Sequence, residues 1–193
     1  MIGGRSWTNL INYLLFQGGW AICVLGAANG HPHMAAAFGL VPPILHLLLV
    51  TDRRREGRLL VMALFLGVIV DGLHIHTGIL VFTGSLHPAL PPPWILVLWL
   101  QFATSLRYSL HWLRRNRPVG LVLGGIAGAF AYWAGVRLGA AGFGGDVTAS
   151  LLQIGLSWVL VMAVFLYQPG LVTADDGRAV YSPLADRSRQ QRI

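Results

Sequence analysis

Long apolar runs separated by short polar connections dominate this 193-residue sequence. A helix needs about 20 mostly apolar residues to cross the hydrocarbon core of a bilayer. Six runs reach or approach that length: 9–28, 34–50, 59–83, 94–113, 119–136 and 148–168. Only 11% of the residues are charged, whereas a soluble domain carries about 25%. The sequence therefore predicts an all-α fold, a polytopic membrane protein in which residues 1–168 form a bundle of six transmembrane helices.

The arginines predict how these helices are oriented. Loop 51–58 carries four arginines and loop 114–118 carries three. The other connections together carry a single arginine: 29–33, 84–93 and 137–147. Because cytoplasmic loops are enriched in Arg and Lys, the two arginine-rich loops and both chain termini are predicted to face the cytoplasm. Residues 169–193 are polar and lack helical periodicity, which predicts a largely disordered cytoplasmic tail.

Charge and composition narrow the class of protein. A net charge of +7 can indicate nucleic-acid binding, but here the arginines lie between apolar segments rather than on a soluble surface, so no nucleic-acid partner is predicted. All 14 cationic residues are arginine, which together with abundant Ala and Gly suggests a GC-rich bacterial genome. The predicted location is the bacterial inner membrane. With Cys23 as its one cysteine, the chain offers no disulfide framework and no thiolate metal cluster, and no cofactor is predicted.

The first apolar run has a second interpretation as a signal peptide. Gly26, Ala27 and Ala28 resemble a small-residue cleavage site, and cleavage there would leave five spans in the same orientation. Asn12 and Gln17 are unusual within the short apolar core of a signal peptide, so an uncleaved helix is favoured.

A carboxylate and two imidazoles interrupt the third apolar run. Asp71, His74 and His76 lie where hydrocarbon offers no water, and an ionisable group at such a depth is by default a functional-site hypothesis. Asp71 and His74 are three residues apart, so they share one helix face and could form an acid–base pair. His76 is rotated by about 200° from His74 and points elsewhere. Asp71 and His74 are therefore the candidate catalytic residues.

The fourth apolar run carries a polar stripe that is predicted to face the bundle interior. Its members recur at spacings of three and four: Gln101, Thr104, Ser105, Tyr108 and His111. Asp71 and Gln101 both lie about 18 Å from the cytoplasmic boundary at 1.5 Å per residue, so they could meet. Arg107 could reach toward Asp71 or extend to the headgroups. Gln101, Ser105, Arg107 and Tyr108 are the candidate binding residues, with mutual pairing between helices as the purely structural alternative.

Histidines on the predicted external side provide a candidate metal site. His31, His33 and His87 lie in the connections predicted to be external, and His76 lies at the external end of span three. Several imidazoles on one side could bind zinc or copper. No recognised ligand spacing supports such a site, so loop or interface histidines are the favoured interpretation.

A glycine ridge predicts close helix packing in span five. Gly120, Gly124 and Gly128 repeat every four residues and let a neighbouring backbone approach. Packing within the six-helix bundle is the favoured interpretation, and a homodimer through the same glycines is the alternative.

Short motifs across the hydrophobic region resemble a known family. They are Asn12-Tyr13-Leu14-Leu15-Phe16-Gln17-Gly18-Gly19-Trp20, Cys23-Val24-Leu25-Gly26, Asp71, Pro93-Trp94, Leu98-Trp99, Phe102-Ala103, Ser109-Leu110, Trp112-Leu113, Tyr132, Ala134-Gly135 and Arg137-Leu138-Gly139-Ala140. Together they resemble the domain-of-unknown-function 2878 group of small bacterial inner-membrane proteins. This chain departs from the group where it has Ala129-Phe130-Ala131, because members tend to carry a Pro before the Tyr.

The resemblance implies a polytopic inner-membrane protein. Members often lie near genes for lipid-modifying enzymes, such as cyclopropane-fatty-acid-synthase-like methyltransferases. This association implies a lipid-linked accessory role with such an enzyme as partner, and it assigns no chemistry to any residue.

Three functions are consistent with these patterns, in order of preference. The first is an accessory protein in fatty-acyl modification of membrane lipids. The second is a small proton-coupled transporter that uses Asp71 and His74, although no inverted repeat is evident across the two halves. The third is an intramembrane enzyme that acts on a lipid with Asp71 and His74 as acid and base.

Overall fold

The computed structural model describes residues 4–50 and 52–168, and these residues form seven α-helices, one 3₁₀ helix and two short strands. In chain order they are α1 (Gly4–Ala28), α2 (Pro32–Gly39), α3 (Val41–Leu49), α4 (Arg53–His76), β1 (Leu80–Phe82), α5 (Pro93–Leu106), the 3₁₀ helix η1 (His111–Asn116), α6 (Arg117–Leu138), β2 (Ala141–Phe143) and α7 (Val147–Tyr167). The predicted all-α class is confirmed. The predicted tail, 169–193, lies outside the described residues.

Within the described residues, five segments are long and apolar enough to cross a membrane. They are Asn9–Ala28, Pro32–Leu49, Arg53–His76, His111–Leu138 and Val147–Tyr167. The remaining apolar helix, α5, has 14 residues, so it extends only about 21 Å at 1.5 Å per residue. The hydrocarbon core is about 30 Å thick, so α5 alone is shorter than a full span.

Polar caps and glycines set where the long helices begin and end. The side chains of Asp52, Asn116 and Asp146 accept hydrogen bonds from backbone N–H groups in the first turns of α4, α6 and α7. Such caps satisfy donors that a helix start leaves free. Gly139 ends α6 in the left-handed region, at φ 94°, which a glycine adopts without steric cost.

Three of the six predicted spans differ from the helices that the structure contains. The second run contains two helices that meet at Leu40, because Pro42 and Pro43 lack the N–H groups that a continuous helix would need there. In the third run, α4 ends at His76, and the chain turns through Gly78 into β1. In the fourth run, α5 ends at Leu106, after which a turn and η1 lead into α6.

The helix ends meet at two poles of the bundle. β1 pairs antiparallel with β2, and the Thr83 hydroxyl donates to the carbonyls of Ala140 (2.8 Å) and Ala27 (3.4 Å). These contacts bring the carboxyl ends of α1, α4 and α6 together at what we call the strand end. The opposite end, where α4 and η1 begin, is the arginine end, which holds Arg53, Arg54, Arg55, Arg58, Arg114, Arg115 and Arg117.

Packing divides the bundle into a central helix and a peripheral pair. α5 packs against α1, α2 and α4, and α6 packs against α7. The glycine ridge of α6 lies against α7 of the same chain, since side chains added at Gly120, Gly124 and Gly128 would overlap Leu166, Met162 and Trp158. A homodimer through this ridge stays a prediction.

Candidate functional site

Asp71 lies at the centre of a fully buried polar cluster in the bundle. Its side chain has no exposure to solvent. The Tyr132 hydroxyl of α6 donates to Oδ1 at 2.6 Å, and the Trp99 indole N–H of α5 donates to Oδ2 at 2.7 Å. Both bonds have the short length of charge-assisted hydrogen bonds. One carboxylate therefore joins α4, α5 and α6.

His74 extends this cluster toward α7. Its Nδ1 lies 3.6 Å from Asp71 Oδ1, and its Nε2 lies 3.3 Å from the Ser157 hydroxyl oxygen. Ser157 donates its single hydroxyl proton to the Gln153 carbonyl at 2.9 Å, so Nε2 must be the donor to Ser157. Nδ1 is buried and makes no well-formed hydrogen bond within the described residues, so the Asp71 carboxylate is its nearest polar neighbour by ion-pair distance rather than by a hydrogen bond.

Aromatic rings enclose the Asp71 cluster on one side. The Trp99 and Trp158 rings stack at 5.0 Å with 14° between their planes, and the His74 ring meets the Tyr132 ring edge-on at 5.8 Å. The buried Trp158 Nε1 makes no well-formed hydrogen bond within the described part of the chain. These rings separate the carboxylate from the space described next.

An apolar cavity of about 750 Å³ lies on the other side of these rings. It runs from Phe82 and Trp94 at the strand end to Trp112 and Leu113 at the arginine end. Residues of α1, α5, α6 and α7 line it, whereas no residue of α4 does. Tyr132, Trp99 and Trp158 form part of its wall, and Asp71 does not reach it.

A glutamine lies at this otherwise apolar lining. Gln17 of α1 carries the lone side-chain amide among the residues that line the cavity, and it is exposed. It forms no hydrogen bond with a described residue. Gln17 lies near the middle of α1, at a depth where lipid provides no water for its amide.

A second buried polar cluster lies at the arginine end. Glu56, in the first turn of α4, is fully buried. Its Oε1 accepts from Arg107 Nη1 at 2.6 Å and from the Tyr108 hydroxyl at 3.2 Å. The second carboxylate oxygen lies 3.3 Å from Nε2 of the buried His46. The cluster ties α3, α4 and the turn after α5 together.

The candidate binding residues divide between separate places. Gln101 donates to the Gly39 carbonyl at 2.7 Å and contacts the Cys23 sulfur, away from Asp71. Ser105 donates to the Phe102 carbonyl within its own helix. Arg107 and Tyr108 bond to Glu56, as described above. None of these four residues lines the cavity.

The four histidines considered for a metal site are exposed. His31, His33, His76 and His87 all lie on the surface, and His76 Nδ1 contacts the Gly72 carbonyl at 2.7 Å. Across residues 4–50 and 52–168, no three His, Cys, Asp or Glu side chains lie close enough together to hold a metal ion.

Sequence reasoning missed Glu56, Trp99 and Tyr132 as partners in the buried clusters. Glu56 lies within a run of arginines, a context that suggests a solvated loop. The sequence did contain a signal for Glu56, because position 56 lies on the same helix face as positions 63, 67, 71 and 74. In the structure all five of these positions are buried. For Trp99 and Tyr132 the sequence offers only their apolar setting, where an indole or phenol needs a polar partner.

Comparison with known proteins supports the resemblance found in the sequence. No curated protein and no solved structure matches the chain. A family match covers residues 9–164, which include Asp71, Trp99, Tyr132 and the whole lining of the cavity. The chain belongs to the family described as "Protein of unknown function (DUF2878)".

Proposed function

We propose that this integral membrane protein holds the hydrocarbon chain of a membrane lipid in its cavity and acts as an accessory in fatty-acyl modification in the bacterial inner membrane. The main observation in support of this proposal is the apolar cavity. Its volume of about 750 Å³ lies within the range of roughly 300–1,000 Å³ that is common for ligand pockets. Its lining is apolar and aromatic, which favours a hydrocarbon over a hydrophilic ligand.

The position of the cavity also supports a lipid as the ligand. Ile126 and Phe130 of α6 line it and are each 63% exposed. Their exposure means that the cavity is open to the surface of the bundle along α6. In a bilayer this surface faces lipid tails, so a chain could enter sideways without passing through water.

We include six passes in this proposal, with both chain termini in the cytoplasm. Three ascending helices, α1, α4 and α6, end at the strand end. The return segments are α2 with α3, α5 with the turn after it, and α7. The concentration of arginines at the opposite end supports a cytoplasmic location for that end.

Filling the cavity tests the proposal directly. We expect Ala131→Phe to weaken binding of a phosphatidylcholine with brominated chains about tenfold, a loss of about 1.4 kcal/mol, because the added ring takes up space in the cavity that the lipid chain would fill. Bromine quenches indole fluorescence on contact, and Trp20, Trp94, Trp99, Trp112 and Trp158 all line the cavity. Trp7 and Trp133 are exposed and do not line the cavity, so quenching is measured in a Trp7→Phe/Trp133→Phe background in detergent, where it reports occupancy of the cavity.

Val122→Phe is the matched control for this experiment. Val122 lies on the same helix, is 59% exposed and does not line the cavity, so this variant should bind like the native protein. Equal lipid binding by the Ala131→Phe variant and the native protein would show that the cavity is not the binding site.

A second candidate function is an intramembrane acid–base enzyme that acts on the bound lipid. The observation in its favour is Tyr132, whose ring lines the cavity while its hydroxyl donates to Asp71. A proton could pass from the cavity wall to Asp71 and His74 through this hydroxyl. The proton-coupled transporter stays a prediction.

A further inference from the structure

We infer that the lipid in the cavity is an anionic phospholipid whose phosphate is bound by Arg115 at the arginine end. This inference rests on the proposed function, because it names the class of lipid whose chain the cavity holds. It depends on the position of η1, whose residues Trp112 and Leu113 line the cavity and whose last turn carries Arg115.

The first observation is the position of Trp112. This residue of η1 lines the cavity and is 45% exposed, so it lies where the cavity meets the surface at the arginine end. Leu110 and Leu113 line the same end of the cavity. A chain lying in the cavity would therefore emerge beside the Trp112 ring, and an indole favours this headgroup region of a bilayer.

The second observation is the placement of Arg115 on the same face of η1. Side chains at positions i and i+3 of a 3₁₀ helix eclipse each other, and Trp112 and Arg115 have this spacing. The rise of about 2 Å per residue puts Arg115 about 6 Å beyond Trp112 along the helix axis. If the acyl chain leaves the cavity beside the Trp112 ring, the phosphate attached to it would lie within reach of Arg115.

The third observation is that the Arg115 side chain is available. It is exposed and forms no hydrogen bond or ion pair with a described residue. By contrast, the Arg107 guanidinium is bound to Glu56, and Arg117 lies over the Tyr167 ring at 4.6 Å. Arg115 can therefore offer its N–H groups to phosphate oxygens, and a guanidinium suits the geometry of a phosphate.

Charge complementarity selects an anionic over a zwitterionic lipid. Other arginines lie at the same end of the bundle, among them Arg53, Arg54, Arg55, Arg58, Arg114 and Arg117. A headgroup that carries its own cation would place that cation among these arginines. A phosphatidylglycerol headgroup brings only negative charge, which basic residues near a membrane surface attract.

The test compares two brominated lipids that share the same chains and differ in headgroup. The native protein should bind phosphatidylglycerol at least fivefold more tightly than phosphatidylcholine, measured by tryptophan quenching in detergent. Arg115→Gln should reduce the affinity for phosphatidylglycerol about fivefold, the effect of one surface arginine. It should reduce the affinity for phosphatidylcholine by a smaller factor, because that lipid shares the phosphate but carries a cation that offsets part of the attraction. Arg115→Lys should keep most of the preference, because it keeps the charge.

Arg58→Gln is the matched control, because it removes the same charge at the same end from α4, which lines no part of the cavity. Equal binding of the two lipids by the native protein, or equal losses in Arg115→Gln and Arg58→Gln, would overturn the inference. If Ala131→Phe still weakens the binding of both lipids in that case, the proposed function stands and only the inference about Arg115 falls. If Ala131→Phe weakens the binding of neither lipid, the proposed function and the inference both fall.

Discussion

Replacing Asp71 by alanine should lower the free energy of unfolding by about 3 kcal/mol or more, since it leaves two buried donors without an acceptor at about 1–3 kcal/mol each. These donors are the Tyr132 hydroxyl and the Trp99 indole N–H. For a chain of this size, the loss corresponds to a drop in Tm of about 6–12 °C. A thiol-reactive dye can measure unfolding, because Cys23 is the single cysteine and is fully buried.

Two other variants make the Asp71 result interpretable. Asp146→Ala removes an exposed helix cap and should cost only about 1 kcal/mol. Asp71→Asn keeps the shape of the side chain and one acceptor, so its loss should be intermediate. If Asp71→Ala unfolds no earlier than Asp146→Ala, Asp71 does not hold the three helices together.

Asp71→Asn also separates the structural role of Asp71 from the acid–base candidate. If the Asp71→Asn variant is folded, inserts into the membrane and restores the lipid composition of a deletion strain, Asp71 is excluded as an acid or base. If the variant is folded but fails to restore that composition, the enzymatic candidate gains support.

Replacing Glu56 by alanine should cost about 3 kcal/mol, because breaking a buried ion pair leaves the remaining charge without its partner. The remaining charge is the Arg107 guanidinium, whose side chain is 11% exposed. Because that side chain can extend toward the headgroups, we expect the lower end of the usual range of about 3–5 kcal/mol. The same thiol assay measures the loss.

A double variant distinguishes the ion pair from packing. Replacing both partners, as Glu56→Leu with Arg107→Met, should recover much of the stability, since apolar substitutes of similar size are often neutral where a buried pair has been removed. Asp52→Ala is the neighbouring control, because it removes an exposed carboxylate from the same end of α4. Losses of equal size in Glu56→Ala and Asp52→Ala would contradict the role of the buried pair.

Helix periodicity explains which features of the Asp71 cluster could be predicted. The pairing of Asp71 with His74 needs only the spacing of residues on one helix, and the structure places the two side chains 3.6 Å apart. Partners on other helices depend on how each helix is rotated. Trp99 and Gln101 are two residues apart and so point about 200° from each other. The rotation of α5 directs Trp99 toward Asp71 and Gln101 toward Gly39.

Long-range contacts explain what the sequence could not predict. Tyr132 is 61 positions from Asp71, and no local spacing relates the two residues. The cavity is also a property of several helices together, because its wall comes from α1, α5, α6 and α7. Hydropathy predicts that segments are apolar, but it does not specify where neighbouring helices leave a gap.

Photo-crosslinking most directly tests the central claim that a lipid chain occupies the cavity. The probe is a phosphatidylglycerol with a diazirine in its chain, added at low molar ratio to the purified protein in detergent, followed by mass spectrometric mapping. We expect labels on Leu98 and Phe102, which line the cavity from the central helix α5. Labels confined to outward residues such as Phe65 and Ile69 of α4, which are 66% and 63% exposed, with none on α5, would contradict the claim.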